Sequence, residues 1–171
     1  QSGSHLNEDQ SYHACLSFFN EEVSHDDIVL FLQLLSNKGE TSEELLGFIR
    51  AMRERMDTIS FSQNQIIDIC GTGGSLPNRF NVSTCAALVI GSLGFHVAKH
   101  GNRGSKKPNG SFDFLDAMKI PYELSPADHQ YRINDYGATF LFARTFHKAV
   151  ASVAAARKEL TGRSIFNLIG P

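Results

Sequence analysis

Two stretches of this chain, one βα unit apart, gather the residue types that bind anions. The first is DICGTGGSLPNRFNVST, from Asp68 to Thr84: an apolar run, a glycine-rich turn, then a helix start. Gly71, Gly73 and Gly74 let the backbone approach a phosphate with no Cβ in the way. Asn81, Val82, Ser83 and Thr84 follow at the helix entrance, where amides lack intrahelical partners and the helix dipole favours negative charge. A serine there often does no more than cap its helix. Three glycines and an asparagine seven residues after Gly74 exceed what a cap needs.

The second stretch is FHVAKHGNRGSKK, from Phe95 to Lys107, read as an apolar strand followed by a loop dense in donors and positive charge. Lys99, His100, Asn102 and Arg103 cluster around Gly101, and Lys106 and Lys107 follow before a further helix entrance at Asn109-Gly110-Ser111. A solvated face is the default for such a charge run. Its position straight after a strand, with two glycines inside it, favours an anion site that matches a polyphosphate in charge and reach. Two such loops on neighbouring strands suit a ligand with phosphates at both ends, a phosphoribosyl-handling site. A third element is His147 with Arg157, ten residues apart on an expected helix. There the helix dipole opposes protonation of His147, and the plain reading of Arg157 is a solvent-facing helix arginine.

The elements that must position these residues come in two styles. Residues up to about sixty read as helical. Ser24 and Asp27 precede Ile28, Phe31, Leu32 and Leu35, and Thr41 and Glu44 precede Leu45, Phe48, Ile49, Met52 and Met56, both capping-box patterns ahead of amphipathic helices. From Gln65, short apolar runs at 66–70, 95–98, 139–142 and 165–169 alternate with helices near 83–93, 111–118, 126–135 and 145–160. That alternation predicts an α/β fold: a small amino-terminal helical domain plus an incomplete, mainly parallel α/β domain with helices on the sheet faces. Ligands bind beyond the carboxyl ends of such strands. The expected boundaries are 1–5 as an expression remnant, 6–62 as the helical domain and 63–171 as the α/β domain. A strand ending at Ile169 would leave the sheet uncovered, so the chain reads as truncated after Pro171.

Composition agrees. Across 171 residues the apolar share is 42%, the charged share 20% and the net charge −2, which gives no drive toward nucleic acid or membrane. Charge is local: Ser92 to Lys107 holds four cations and no acid, while Glu21 to Glu44 holds seven acids and one lysine. Three cysteines with no CxxC suit a reducing cytosol, so the expected location is cytoplasmic.

GTGG, NVST, KHGNR, Gly110-Ser111-Phe112-Asp113, FHKAV and the terminal RSIFNLIGP together resemble the anthranilate phosphoribosyltransferases, within the glycosyltransferase family that includes pyrimidine nucleoside phosphorylases. The likeness runs from about Asp9 to Pro171. It implies a homodimer formed through the helices, and transfer of 5-phosphoribosyl from phosphoribosyl pyrophosphate to the amine of anthranilate, a small aromatic amine, in tryptophan biosynthesis with Mg²⁺. By motif, Gly71, Gly74, Ser75, Arg79, Asn81, Val82, Ser83 and Thr84 would line the donor's pyrophosphate, with Ser83 also near a Mg²⁺. Lys99, His100, Gly101, Asn102, Arg103, Lys106, Lys107 and Ser111 would surround the donor. Gly71, His100, Asn102, His147, Arg157 and Pro171 would face the acceptor. No acid–base residue is assigned. The main acidic Mg²⁺ ligands are expected beyond residue 171, which predicts little turnover for this chain alone.

The sequence departs from the family pattern at the donor site. Ser75 stands where the family has Asp, Arg79 replaces a Thr, Lys106-Lys107-Pro108 replaces Ser-Ser-Lys, and Arg144 replaces a Pro. Pro108 also removes an amide donor. Two alternatives follow: a related phosphoribosyl or nucleoside transferase with another nitrogen acceptor, or a non-catalytic paralogue that binds an anion or nucleic acid.

Overall fold

Capping side chains start the first three helices, and apolar residues at three–four spacing give each a face to bury. The computed structural model describes residues 3–71, 80–104 and 108–170. Helix α1 (Glu8–Phe19) opens with reciprocal bonds between Asn7 and Gln10; α2 (His25–Lys38) opens on Ser24, and α3 (Ser42–Arg55) on the Thr41–Glu44 capping box. Asp27 differs from the expected box: its carboxylate accepts from the Ser24 hydroxyl at 2.6 Å instead of returning to the backbone. Glu44 is fully buried yet charged, held by Lys38 Nζ at 2.8 Å and by the amides of Leu6 and Thr41 at 2.8 and 2.9 Å. Burial alone would push its carboxyl pKa up, but these donors hold it below the ordinary range.

The described residues form two compact units. The first joins everything up to Met56 with the segment from His147 onward. Its core packs Phe18, Ile28, Leu32, Leu35 and Phe48 with Val153, Ala156, Ile165 and Phe166. The rings of Phe48 and Phe166 meet edge-on at 5.5 Å.

The second unit runs from Asp57 to Phe146. Strands β1 (Val97–Gly101) and β2 (Ala138–Phe142) pair in parallel, Val97 opposite Ala138 through Gly101 opposite Phe142. A single parallel bridge joins Ile67 to Val97 on the far side of β1. Helix α4 (Val82–Ser92) follows the glycine stretch, while α5 (Ser111–Ala117) and α6 (Pro126–Tyr136) lie between the strands in sequence. The faces of β2 alternate: Phe142 stacks on Phe112 of α5 at 4.7 Å, and Thr139 Oγ1 meets buried His129 Nδ1 of α6 at 2.7 Å. Helix α6 stops at Gly137, whose left-handed backbone (φ 69°) also admits close approach by Gly91 of α4.

Four expectations change. The 66–70 run makes one bridge instead of a strand, because only Ile67 pairs with β1 among the described residues. Strand β1 starts later than expected, with Phe95 55% exposed, and extends through Lys99, His100 and Gly101, which the sequence placed in a loop. The 145–160 helix is three pieces: α7 (Ala143–Phe146), a 3-10 turn at Lys148–Ala151 and α8 (Ala154–Glu159). His147 (φ −114°, ψ 58°) leaves the helical region where the chain passes from one unit to the other, so no first-turn dipole acts on it as expected. The 165–169 run is helix α9 (Ile165–Leu168), started by Ser164 and Asn167, so it supplies no uncovered last strand.

Candidate functional site

The Ile67–Val97 bridge decides the site. It sets Asp68, Ile69, Cys70 and Gly71 alongside the carboxyl end of β1, where open α/β sheets receive ligands. Lys99, His100 and Gly110 then meet the first stretch at Ile69, Asp68 and Asn81, and two further bonds brace the second stretch itself. Lys99, only 3% exposed, sends its Nζ to the Ile69 carbonyl at 2.8 Å and the His100 carbonyl at 3.0 Å. Asp68 accepts from the His100 amide at 3.1 Å and pairs with its ring Nδ1. The Asn81 side chain donates to the Gly110 carbonyl at 3.3 Å, and Ser111 Oγ to the Asn102 carbonyl at 3.4 Å.

Each contact has a local cause. Gly101 is small because a Cβ there would collide with Ser111 Oγ, and Gly110 because one would strike the Asn102–Gly104 backbone. Asp113 Oδ2 accepts from the amides of Gly104 and Gly110 at 2.7 and 2.8 Å, closing both ends of the basic stretch. Asn81 begins α4 yet makes no side-chain bond to its amides. Within that uncapped first turn Thr84 is fully buried and its Oγ1 has no hydrogen-bond partner among the described residues. An orphaned buried hydroxyl costs roughly 1–3 kcal/mol and marks a place where a partner belongs.

Charge is partly committed. Burial pulls the Lys99 pKa down, and Asp68 and Cys70 push it back up without restoring it. Arg103, expected on the donor, faces Tyr122 Oη at 2.5 Å and Asp116 at 3.0 Å, so it holds α5 and its following loop to the basic stretch. His147 and Arg157, expected at the acceptor, belong to the first unit, where Arg157 lies over the Phe166 ring at 5.1 Å and burial lowers its pKa. Gly73, Gly74, Ser75, Arg79, Lys106, Lys107 and Pro171 lie outside the described residues. Sequence reasoning assigned no role to Asp68 or Asp113. Asp113 was within reach as the last residue of Gly-Ser-x-Asp, and Asp68 as the acid opening the glycine stretch.

A glycosyl transferase family a/b domain matches residues 63–171, and the helical bundle domain of that family matches residues 1–56. The anthranilate phosphoribosyltransferase of Geobacillus kaustophilus is 45% identical over 169 residues, covering 99% of this chain and 50% of its own. That of Bacillus caldotenax is also 45% identical over 99% of this chain and 69% of its own. Among solved structures, the enzyme from Thermus thermophilus superimposes with a TM-score of 0.89 at 40% identity, over 99% of this chain and 51% of that one. The Saccharomyces cerevisiae enzyme in complex with PRPP and Mg gives 0.84 at 27%, over 97% and 50%. The chain spans about half the length of most curated relatives it matches. With both domains matched in order and loop signatures meeting at one sheet edge, the chain belongs to the glycosyl transferase family, alongside anthranilate phosphoribosyltransferases.

Proposed function

We propose that the protein carrying this chain transfers 5-phosphoribosyl from phosphoribosyl pyrophosphate to the amine of anthranilate and releases pyrophosphate, a step of tryptophan biosynthesis. The observation that carries the reading is the meeting of the glycine turn's described flanks, Ile69 and Asn81, with Lys99 and Gly110, and a buried Thr84 hydroxyl with no hydrogen-bond partner among the described residues. As the bond from the anomeric carbon to pyrophosphate breaks, negative charge develops on the leaving oxygen. The Ser83 and Thr84 hydroxyls and the positive charge of Lys99 and the residues that follow it would serve as donors and counter-charge to it. The aryl amine attacks in its neutral form, so positioning supplies much of the rest, and His147 and Arg157 serve as acceptor-side residues.

The relatives' Mg²⁺ finds a thin welcome here. Among the described residues no group of three or more His, Cys, Asp or Glu could hold a metal ion. Ser83 offers one hydroxyl, which does not make a Mg²⁺ site on its own. No step above is therefore routed through the metal. The working assembly is a homodimer formed through the helical unit, whose α2 and α3 expose Leu30, Leu34 and Leu46. No described helix is long and apolar enough to cross a membrane, and the location proposed is the cytoplasm.

The test is to mix the full-length protein with phosphoribosyl pyrophosphate, Mg²⁺ and anthranilate and follow anthranilate fluorescence. Donor-dependent loss of fluorescence is expected. Consumption of a nucleobase in place of anthranilate would retire this acceptor.

A further inference from the structure

We infer that His129 of α6 is a pH-sensitive lock on the two places where the chain passes between its units. Neutral, it lets α6 hold both crossings; protonated, it loosens that hold. Helix α6 reaches the entering segment through amide side chains. The Ser62 amide donates to Gln130 Oε1 at 2.8 Å, and Gln63 Nε2 donates to Asn134 Oδ1 at 2.6 Å. Gln130 Nε2 returns a bond to Gln63 Oε1 at 2.9 Å.

On its buried side α6 meets the departing segment. His129 pairs with Thr139 of β2, and its ring lies 6.3 Å from that of Phe146, the last residue of the second unit. The Phe146 carbonyl accepts at 2.8 Å from the amide of Asp57, the first residue of that unit. One helix therefore braces both crossings, and His129 is its titratable contact with the second.

The setting of the ring opposes charge. His129 is 3% exposed and Thr139 is fully buried. With a neutral ring, Nδ1 and the Thr139 hydroxyl share one hydrogen at 2.7 Å, and either can donate it. A ring protonated at both nitrogens can only donate, and its charge is then buried against a hydroxyl and a phenyl ring. β2 presents Thr139 and α7 presents Phe146, neither of them charged; the charged groups acting on His129 are Arg132 and Asp128 of α6 itself. Burial depresses the imidazole pKa, Arg132 lowers it further, and Asp128 restores part of the loss. The folded value therefore lies below the unfolded one, about 6.5. Above that pH the lock is fully in place. Below it the unfolded chain binds more protons, so stability falls with pH until the folded value is reached.

The discriminating variant is His129→Gln, whose amide can still bond the Thr139 hydroxyl but does not titrate. Amide hydrogen exchange of the full-length protein is followed between about pH 5 and pH 8, corrected for the intrinsic exchange rate. In the wild type, opening of α6 and of residues 57–63 should become up to about tenfold more frequent per pH unit below about 6.5, and in His129→Gln it should stay flat. An imidazole NMR titration of the wild type, with the variant assigning the resonance, should find the ring still neutral where a free histidine is half protonated. A ring that titrates at the ordinary value overturns the inference, and so does an equal slope in His129→Gln. Acid-dependent opening that spares α6 and residues 57–63 overturns it as well. If His129→Gln does not fold, the wild-type titration and the wild-type exchange of α6 still decide.

Discussion

Replacing Lys99 by Met separates a staple from a simple surface charge. The methylenes stay and the ammonium goes, taking with it the bonds to the carbonyls of Ile69 and His100 at 2.8 and 3.0 Å. Each hydrogen bond from a charged donor contributes about 1.5–3 kcal/mol. Burying the ammonium costs several kcal/mol in the opposite direction. The two largely cancel, so the net stability change should stay within about 2 kcal/mol and the Tm shift within roughly 8 °C. Donor binding has no such offset, because Lys99 holds the Ile69 carbonyl at the root of the glycine loop, beyond the Ile67 bridge and the Asp68–His100 pair. Calorimetric titration of the full-length protein with phosphoribosyl pyrophosphate should show affinity falling about tenfold or more, equivalent to about 1.4 kcal/mol per decade. The alkaline limb gives a second reading. Lys99 has a folded pKa below its unfolded value, so above the folded value the unfolded chain binds more protons and stability rises with pH toward ordinary lysine titration near 10.4. Lys99→Met should flatten that rise. Unchanged donor affinity in a folded Lys99→Met variant refutes the staple.

Three further outcomes are expected. Thr84→Val removes a buried hydroxyl that has no partner, so stability should hold or rise by about 1 kcal/mol in thermal melts while donor affinity drops. Asp113→Ala frees the Gly104 and Gly110 amides; the basic stretch should become more susceptible to limited proteolysis, and donor affinity should fall with stability reduced by about 1–3 kcal/mol. Glu44→Ala takes a buried carboxylate from half-buried Lys38 and from the amides of Leu6 and Thr41, and denaturant unfolding should report a loss of about 1–3 kcal/mol in the helical unit with the donor site unaffected.

Where local chemistry and tertiary packing agreed, the sequence was legible. Thr41 with Glu44, and Ser125 with Pro126, start helices as read, and α4, α5 and α6 fall within a residue or so of expectation. The run at 165–169 misled because a short apolar stretch suits a buried helix as well as a strand, and the Ser164–Asn167 cap that decides it uses Asn in place of the usual Glu or Gln. The broken 145–160 helix was hidden for another reason: the chain changes units at His147, which no local pattern announces. At the candidate site, Asp68 and Asn81 on either side of the glycine turn do meet the stretch that begins with KHGNR. Sequence could not show that Lys99 points inward to carbonyls or that Arg103 turns to Asp116, because both depend on strand register and on which face each residue takes.

The central claim is that the first turn of α4 and the stretch after β1 grip one donor molecule together. A crystal of the full-length protein soaked with phosphoribosyl pyrophosphate tests it. The account predicts Thr84 Oγ1 or Ser83 Oγ on one phosphate and the Lys99–Lys107 stretch on the same molecule. A donor held by only one of the two, with the Thr84 hydroxyl still unpartnered, would contradict it.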